Sequence, residues 1–96
     1  MKFRFHPRAE IEFEAAISFY EERRHGLGEE FSLEVRAAIR NILVYPRAWP
    51  LLQGDVRRYV VNRFPFGVVY AVSDDEVLIL SIMNLNRHPD AWKDRH

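Results

Sequence analysis

The spacing of apolar residues along the first part of the chain predicts a strand followed by a helix. Phe3 and Phe5 alternate with polar residues, a pattern typical of a short β-strand, and Pro7 ends it. From Pro7 to about Arg24 the apolar residues follow a helical period. They are Ala9, Phe13, Ala16, Ile17 and Tyr20, with Ile11, Ala15 and Phe19 broadening the stripe. Proline suits the first turn of this predicted helix.

A second helix follows after a glycine-containing turn. The segment from His25 to Gly28 interrupts the helical period, and glycine supplies the backbone angles at which helices end. Helical spacing resumes at Phe31, Val35, Ala38, Ile39 and Ile42. This helix should end before Tyr45, because a residue that precedes proline avoids helical angles. Two helices joined by a short turn predict an antiparallel helical hairpin.

Three apolar runs in the remaining chain predict three antiparallel strands. They cover about residues 56–62, 67–72 and 77–83, and the last two are joined by a turn at Asp74-Asp75. The run from Val77 to Met83 is apolar on both faces, which predicts a central position in the sheet. The order β-α-α-β-β-β, with the helical hairpin packed on an antiparallel-rich sheet, is an α+β fold. Residues 1–96 are expected to form a single domain.

Composition excludes several classes of protein. The chain has no cysteine, so it has neither disulfides nor thiolate metal sites. Its four histidines lack the spacing of metal ligands, and no phosphate-binding loop or nucleophile elbow is present. No metal or cofactor is therefore expected. No apolar stretch is long enough for a signal peptide or a membrane helix, so we expect a cytoplasmic protein without a membrane partner.

The charges are balanced in number but unevenly distributed. The chain has 14 basic and 14 acidic residues, and a formal net charge of zero argues against bulk attraction to nucleic acid. Acidic residues concentrate in the predicted helices. Between Asp55 and Asp74 the only charged residues are Arg57, Arg58 and Arg63. The strand region is therefore locally basic.

These arginines allow two interpretations. Arg57 and Arg63 have the same strand parity, so they would share a face of a straight strand, where arginine forks could hold phosphate or carboxylate oxygens. Tyr59 and Phe66 would then offer rings for stacking on a base. Alternatively, the arginines are solvated edge charges or pair with the acidic helices. Spacing alone favours the second interpretation.

A polar stretch follows the predicted third strand. Arg87 lies just beyond that strand, where it could join Arg57 and Arg63 in an anion-binding cluster. Asn84 donates and accepts hydrogen bonds but cannot serve as a general base. From the residues alone, the chain is a small α+β domain with a possible arginine site.

Four further residues near the C-terminus are assigned less chemistry. Histidine is the residue type whose ordinary pKa lies near neutrality, but a loop histidine before proline, such as His88, is usually inert. Trp92 is interpreted as a lid on the core rather than as a base-stacking platform. Lys93 and Arg95 are interpreted as tail charges.

Six short segments match the pattern of a known family, in order and in spacing. They are Phe5-His6-Pro7-Arg8-Ala9, Gly26-Leu27-Gly28-Glu29-Glu30-Phe31, Pro46, Val56-Arg57-Arg58, Arg63-Phe64-Pro65-Phe66-Gly67-Val68-Val69-Tyr70 and Arg87-His88-Pro89-Asp90-Ala91-Trp92. Through them the chain resembles the RelE/ParE superfamily of toxins from bacterial type II toxin–antitoxin modules. The predicted β-α-α-β-β-β order agrees with the order of that family.

The resemblance implies a protein that arrests growth when free. It also implies a cognate antitoxin whose extended and helical C-terminal segment wraps the toxin in a hetero-oligomer. Apolar grooves beside the helical hairpin and at the sheet edge would be the docking surface.

The resemblance leaves the target open between two branches of the family. One branch cleaves mRNA in the ribosome, which requires acid–base groups and cations at the scissile phosphate. The only lysines are Lys2 and Lys93, and Asn84 stands where many relatives have histidine. Tyr70 could assist but is more typical of a packed strand residue. The other branch poisons DNA gyrase without a known nuclease site, and these departures fit it better.

A non-toxic relative that binds its antitoxin or another protein is a third possibility. No catalytic residue is assigned, and an endoribonuclease is the enzyme class expected if the protein is an enzyme at all. The candidates for a catalytic role are Arg57, Arg63 and Arg87. The candidates for target binding are Arg57, Arg58, Arg63, Asn84, Arg87 and Trp92.

Overall fold

A computed structural model describes residues 1–87 and 89–96 and shows two helices packed on one face of a five-stranded sheet. The elements in chain order are β1 (Lys2–Phe5), α1 (Pro7–Arg23), α2 (Leu27–Val44), β2 (Leu51–Gln53), β3 (Val56–Val60), β4 (Phe66–Ser73), β5 (Glu76–Asn84) and a C-terminal 3₁₀ helix (Ala91–Arg95). The predicted α+β class and the two helices are confirmed, with α1 ending one residue before the predicted end.

The sheet has the strand order β1-β5-β4-β3-β2. β1 pairs with β5 in parallel, and the other neighbours pair antiparallel, so the predicted antiparallel-rich sheet is confirmed. β5 is an interior strand, as its apolar faces predict, although β4 occupies the middle position. Strand β2 was not predicted, because three residues next to Pro50 are too few for the alternation of apolar and polar residues to indicate a strand. Asp74 and Asp75 form the predicted turn between β4 and β5.

Local hydrogen bonds define both ends of the α1–α2 hairpin. The His6 side chain accepts a hydrogen bond from the Arg8 backbone N–H at 3.1 Å and caps α1, which starts at Pro7. At the other end, the Glu21 carboxylate accepts hydrogen bonds from the backbone N–H groups of Gly26 (2.9 Å) and Gly28 (3.0 Å). The bond from Gly26 is the main reason why the pKa of Glu21 lies below its usual value. Gly26 has a φ of 89°, which permits the tight turn.

Gly28 lets the two helices approach closely. A Cβ atom at this position would lie 2.6 Å from the Ile17 carbonyl oxygen and 3.0 Å from Glu21 Cβ. Close approach at this point holds the start of α2 against α1, so the hairpin sits on the sheet as one layer.

Gly28→Ala is expected to lower the free energy of unfolding by about 1–3 kcal/mol, because the added methyl group meets backbone that cannot rotate away. Helix propensity alone would favour alanine over glycine by up to about 1 kcal/mol, so the sign of the change separates the two effects. Urea unfolding of the wild type, Gly28→Ala and the neighbouring exposed variant Glu29→Ala measures it. A stabilised Gly28→Ala protein would contradict the close contact.

The core has two layers, one on each face of the sheet. The larger layer lies under the helices and includes a cluster of aromatic side chains, called the aromatic group below. Its rings are Phe13, Tyr20, Phe31, Phe64 and Phe66. The smaller layer lies on the opposite face, where Trp92 of the 3₁₀ helix covers Val69 and Leu80.

The apolar stripe of α1 is narrower than its sequence pattern suggests. Ala9, Phe13 and Ala16 are buried under the hairpin. The second row, which the sequence pattern adds to this stripe, faces solvent instead: Ile11 is 64% exposed and Phe19 is 43% exposed. α1 therefore carries an apolar surface that the rest of the described chain does not cover.

Candidate functional site

A groove lies between α1 and the open edge of β5. β1 pairs only with the first part of β5, from Glu76 to Ile79, so the edge of the strand from Leu80 to Asn84 has no neighbouring strand. The side chains of Phe19 and Tyr20 line the groove from α1, and Ile82 lines it from β5. Two of the residues singled out from the sequence, Asn84 and Arg87, lie at one end of it.

Asn84 shapes the turn in which Arg87 is held. The Asn84 side-chain oxygen accepts a hydrogen bond from the Asn86 backbone N–H at 2.8 Å. The Arg87 backbone N–H donates to the Asn84 carbonyl oxygen at 3.1 Å. Arg87 is exposed, and no carboxylate of the described residues pairs with it. Its guanidinium group can therefore meet an external anion beside the apolar groove.

Arg57 lies on the helix-facing side of β3, at a distance from this groove. Its Nη1 donates a hydrogen bond to the Trp49 carbonyl oxygen at 2.7 Å. The strand register places Arg57 opposite Tyr70, whereas Asn84 is opposite Phe66. Four residues of β4 separate those two rows, which corresponds to about 13 Å along the strand. Arg57 thus supports the loop after α2 rather than the groove that Arg87 lines.

Tyr70 is committed to the core. The side chain is fully buried, and the hydroxyl group donates a hydrogen bond to the Pro46 carbonyl oxygen at 2.7 Å. Burial raises the pKa of Tyr70 to about 12, against a smaller opposing effect of the Arg57 charge. The prediction that Tyr70 is a packed strand residue is confirmed.

Arg63 pairs with the acidic face of α2. β3 ends at Val60, and Arg63 follows in a loop with a φ of 72°, so the argument from strand parity does not apply to it. Its Nη2 lies 2.8 Å from Glu30 Oε1, and its Nη1 lies 3.9 Å from Glu34 Oε2. The hydrogen bond from Arg63 holds the pKa of Glu30 below its usual value. For this arginine, the predicted pairing with an acidic helix is confirmed.

The two remaining candidates also have structural roles. Arg58 is half-buried on the face of the sheet away from the helices, where its aliphatic part packs over Gly67. Trp92 is buried, and its Nε1 donates to the Pro89 carbonyl oxygen at 2.9 Å. The prediction of a lid on the core is confirmed for Trp92, and its ring presents no open face for stacking on a base.

The two rings proposed for stacking on a base, those of Tyr59 and Phe66, are packed against other side chains. Tyr59 packs edge-on against Trp49, with ring centroids 4.4 Å apart, and its hydroxyl oxygen accepts a hydrogen bond from the Asn41 amide. Phe66 is buried in the aromatic group under the helices. The structure therefore groups Asn84 with Arg87, and it gives Arg57, Arg58 and Arg63 other partners. The cluster of Arg57, Arg63 and Arg87 stays a prediction, and the hydrogen bonds of Arg57 to the Trp49 carbonyl oxygen and of Arg63 to Glu30 do not support it.

One polar cluster beside the groove was not predicted from the sequence. Glu12 of α1 accepts hydrogen bonds from Ser81 Oγ (2.8 Å) and from the Ile82 backbone N–H (3.1 Å). Both oxygens of the same carboxylate pair with Arg95, at 2.9 Å each. Arg95 also donates to the Leu80 carbonyl oxygen at 3.0 Å, and only 7% of its side chain is exposed.

Arg95 is therefore not the tail charge that its position suggested. It fixes the 3₁₀ helix to the sheet, and Glu12 occupies an edge amide that another strand would otherwise bond. The partners lie 83 residues apart in sequence, so no local pattern could have revealed them.

His88 lies outside the described residues. Within residues 1–87 and 89–96, no three acidic or histidine side chains gather as metal ligands would. In the same residues, neither helix combines the length and the apolar character that crossing a membrane requires.

Comparisons with known proteins agree with this fold. The family described as "ParE toxin of type II toxin-antitoxin system, parDE" matches residues 3–92. A solved structure described as "Chromosomal ParDE TA system from P. aeruginosa" aligns with a TM-score of 0.64 and 19% sequence identity, over 88% of this chain and 96% of that chain. At that identity the structural likeness concerns the fold alone. A search of curated proteins found no match.

Proposed function

The chain belongs to the ParE toxin family of type II toxin–antitoxin systems, and on that premise we propose that it arrests growth by acting on DNA gyrase and is neutralised by a cognate antitoxin. It is the toxin component of such a module. Gyrase as the target implies that it acts in the cytoplasm. The antitoxin would hold it in a hetero-oligomer.

The state of Tyr70 carries the choice of gyrase over RNA cleavage. Cleavage through the ribose 2′-hydroxyl needs a group that removes a proton and a group that returns one. Tyr70 is buried, bonded to the Pro46 carbonyl oxygen and has a pKa of about 12, so its hydroxyl serves neither purpose. Asn84 cannot take a proton. An exposed arginine beside an apolar groove is instead suited to binding a protein surface.

Induction of the protein in a bacterial host that carries a DNA-damage reporter tests this function. A short pulse is applied, and growth and reporter signal are recorded together. Growth arrest with the reporter on is expected, because gyrase poisoning leaves broken DNA. Arrest with a silent reporter would instead indicate mRNA cleavage. Absence of arrest at full soluble expression would indicate a non-toxic relative.

Arg87→Ala is expected to reduce growth arrest at least about tenfold in a plating assay, as the loss of one charged interface contact predicts. The fold should be unaffected, because the side chain is exposed. Arg47→Ala, at another exposed arginine, is the matched control and should remain fully toxic. Arg57→Ala should also weaken toxicity, because it removes the hydrogen bond to the Trp49 carbonyl oxygen and loosens the loop after α2. Full toxicity of Arg87→Ala at equal soluble expression would exclude this site.

A further inference from the structure

α1 and β5 run in the same direction along the groove between them. The Glu12 carboxylate of α1 accepts a hydrogen bond from Ser81 of β5. Two turns later on α1, Tyr20 packs against Phe66, and Phe66 is the partner of Asn84 in the sheet. The groove therefore has two distinct ends. The end at Ser81 is called the near end below, and the end at Asn84 is called the far end.

The two ends of the groove differ in charge. At the near end, Glu12 and Arg95 neutralise each other in an ion pair. At the far end lies Arg87, together with Arg23, whose guanidinium carbon is 4.2 Å from the centroid of the Phe19 ring. Both of these arginines are exposed, and within residues 1–87 and 89–96 neither has a carboxylate partner. The far end can therefore receive a negative charge.

The far end also has backbone groups that a new strand could bond. The Leu85 N–H donates to the Pro65 carbonyl oxygen, so the odd-numbered residues here bond towards β4 and the even-numbered ones point to the open edge. The Ile82 N–H is bonded to Glu12, and the Asn84 carbonyl oxygen accepts a bond from the following turn. That leaves the Ile82 carbonyl oxygen and the Asn84 N–H at the open edge without a partner in the described part of the chain.

One residue of a parallel strand would satisfy both of these groups. In a parallel pair, one residue donates its N–H to a carbonyl oxygen and accepts from the N–H two residues further along the neighbouring strand. Here that residue would lie opposite Met83. An antiparallel strand would instead point a carbonyl oxygen at the Ile82 N–H, where the Glu12 carboxylate already lies at 3.1 Å. A parallel strand meets that carboxylate only two residues earlier, so it turns away at the near end.

We propose that this groove binds an extended segment of gyrase as a short parallel strand beside β5. The segment has an apolar residue, a central residue of any type and an acidic residue, in that order from its N-terminal side. The central residue bonds the backbone of Ile82 and Asn84. The inference rests on the proposed function only in naming gyrase as the protein that supplies the segment.

The order of the three residues follows from the alternation of side chains along a strand. Ile82 faces the helices, as its place in the core below them shows. The two residues that flank the central one lie beside Ile82 and Asn84, so their side chains also face α1. The first contacts Ile82 and the exposed Phe19 ring, and therefore is apolar. The last reaches the far end, where a carboxylate meets Arg87.

An extended segment fits this groove better than a helix. The groove has a volume of about 520 Å³, which suits a few residues. β1 is parallel to β5 and pairs only as far as Ile79, so the new strand would continue the row of β1 along the same edge. A helix in the groove has no free backbone groups to offer along its length, and it would cover Ile82 and Asn84 while leaving their open groups unpaired.

The test uses a pair of heptapeptides that differ only in the order of two residues. The first is acetylated and amidated Ser-Thr-Leu-Thr-Glu-Thr-Ser, and the second has Leu and Glu exchanged. Binding is measured by NMR titration of the ¹⁵N-labelled protein. The first peptide should bind at least about fivefold more tightly, because in a parallel strand only its glutamate reaches the far end. The amide signal of Asn84 should shift on binding.

N-methylation of the peptide tests the backbone bonds separately from the side chains. A methyl group on the nitrogen of the central Thr removes the N–H that bonds Ile82, and affinity should fall at least about tenfold. A methyl group on the nitrogen of Glu is the matched control, because that nitrogen points away from β5. It should change affinity less than about twofold. Equal losses from the two methyl groups would overturn the parallel strand.

Charge reversal tests the contact at the far end. Arg87→Glu should reverse the preference, so that the peptide with Lys in place of Glu binds more tightly than the original. Arg47→Glu, at an exposed arginine outside the groove, is the matched protein control and should keep the preference for Glu. An unchanged preference in Arg87→Glu would overturn the assignment of the acidic residue to this end.

Competition identifies the protein that supplies the segment. Purified gyrase should displace a fluorescein-labelled form of the first peptide, as measured by fluorescence anisotropy. Displacement by an antitoxin but not by gyrase would overturn the assignment to gyrase, and so would occupation of the groove by a second copy of this chain. Equal affinity of the two peptide orders would overturn the strand itself.

Failure of this inference is distinguishable from failure of the proposed function. The peptide titrations use no cells, whereas the proposed function is decided by growth and the DNA-damage reporter. A protein that turns on the reporter but binds neither peptide keeps the proposed function and loses this inference. A silent reporter overturns the proposed function, whatever the titrations show.

Discussion

Phe31→Ala is expected to lower the free energy of unfolding by about 4 kcal/mol, the cost of removing a fully buried phenyl ring. Phe31 packs against Tyr20, Phe64 and Phe66, with ring centroids 5.0 to 5.1 Å away. These residues come from both helices, the β3–β4 loop and the sheet. Removing the ring leaves a cavity where all of these parts meet, and the surrounding rings can collapse only partly into it.

A domain of this size has a total stability of about 5–14 kcal/mol, so this loss would be a large share of it. Thermal unfolding should shift down by about 15–30 °C. The control is Phe19→Ala, which removes the same ring from an exposed position and should cost less than about 1 kcal/mol. Urea unfolding of the wild type and both variants measures the two losses in the free energy of unfolding. Similar losses at Phe19 and Phe31 would show that the aromatic group is not the centre of the core.

Arg95→Ala is expected to lower the free energy of unfolding by about 2–3 kcal/mol. The loss of one partner from a buried ion pair typically costs about 3–5 kcal/mol, and the partial exposure of the Glu12 side chain reduces that value. Without Arg95, the Glu12 carboxylate keeps only its bonds from Ser81 and Ile82, and the Leu80 carbonyl oxygen loses a donor.

A double-mutant cycle separates the ion pair from simple packing. The Glu12→Gln and Arg95→Met double variant should recover most of the loss, because no charge is then left buried and unpaired. Lys93→Ala, which removes an exposed charge from the same 3₁₀ helix, should change stability by less than about 0.5 kcal/mol. If the effects of Glu12→Gln and Arg95→Met on the free energy of unfolding simply add, that would contradict an energetic coupling between Glu12 and Arg95.

Several features of this protein were predictable because they depend on residues close in sequence. The helical periods, the turn at Asp74-Asp75 and the two-sided apolar run of β5 are local patterns, and each appears in the structure where it was predicted. Trp92 was interpreted as a lid on the core, and its burial agrees with the large free-energy gain of removing an indole ring from water.

The candidate site was less predictable, because the role of an arginine depends on what faces it. Arg57, Arg63 and Arg87 look alike in sequence. In the structure, Arg57 donates to a loop carbonyl oxygen and Arg63 pairs with Glu30 of α2. Arg87 is exposed, and no carboxylate of the described residues pairs with it. Arg95 resembled a tail charge and proved to be the best-buried arginine side chain among the ion pairs of residues 1–87 and 89–96.

The sequence by itself determined both α-helices, four of the five strands, the order of these elements and the family, since all of these are encoded in periodicity and short segments. Only the tertiary structure decided which row of α1 is buried, where β1 joins the sheet and which charges are neutralised. These outcomes depend on contacts between residues far apart in the chain, such as Glu12 with Arg95 and Glu30 with Arg63. A local pattern contains no information about such partners, because these residues come into contact only when the helices and the sheet pack together.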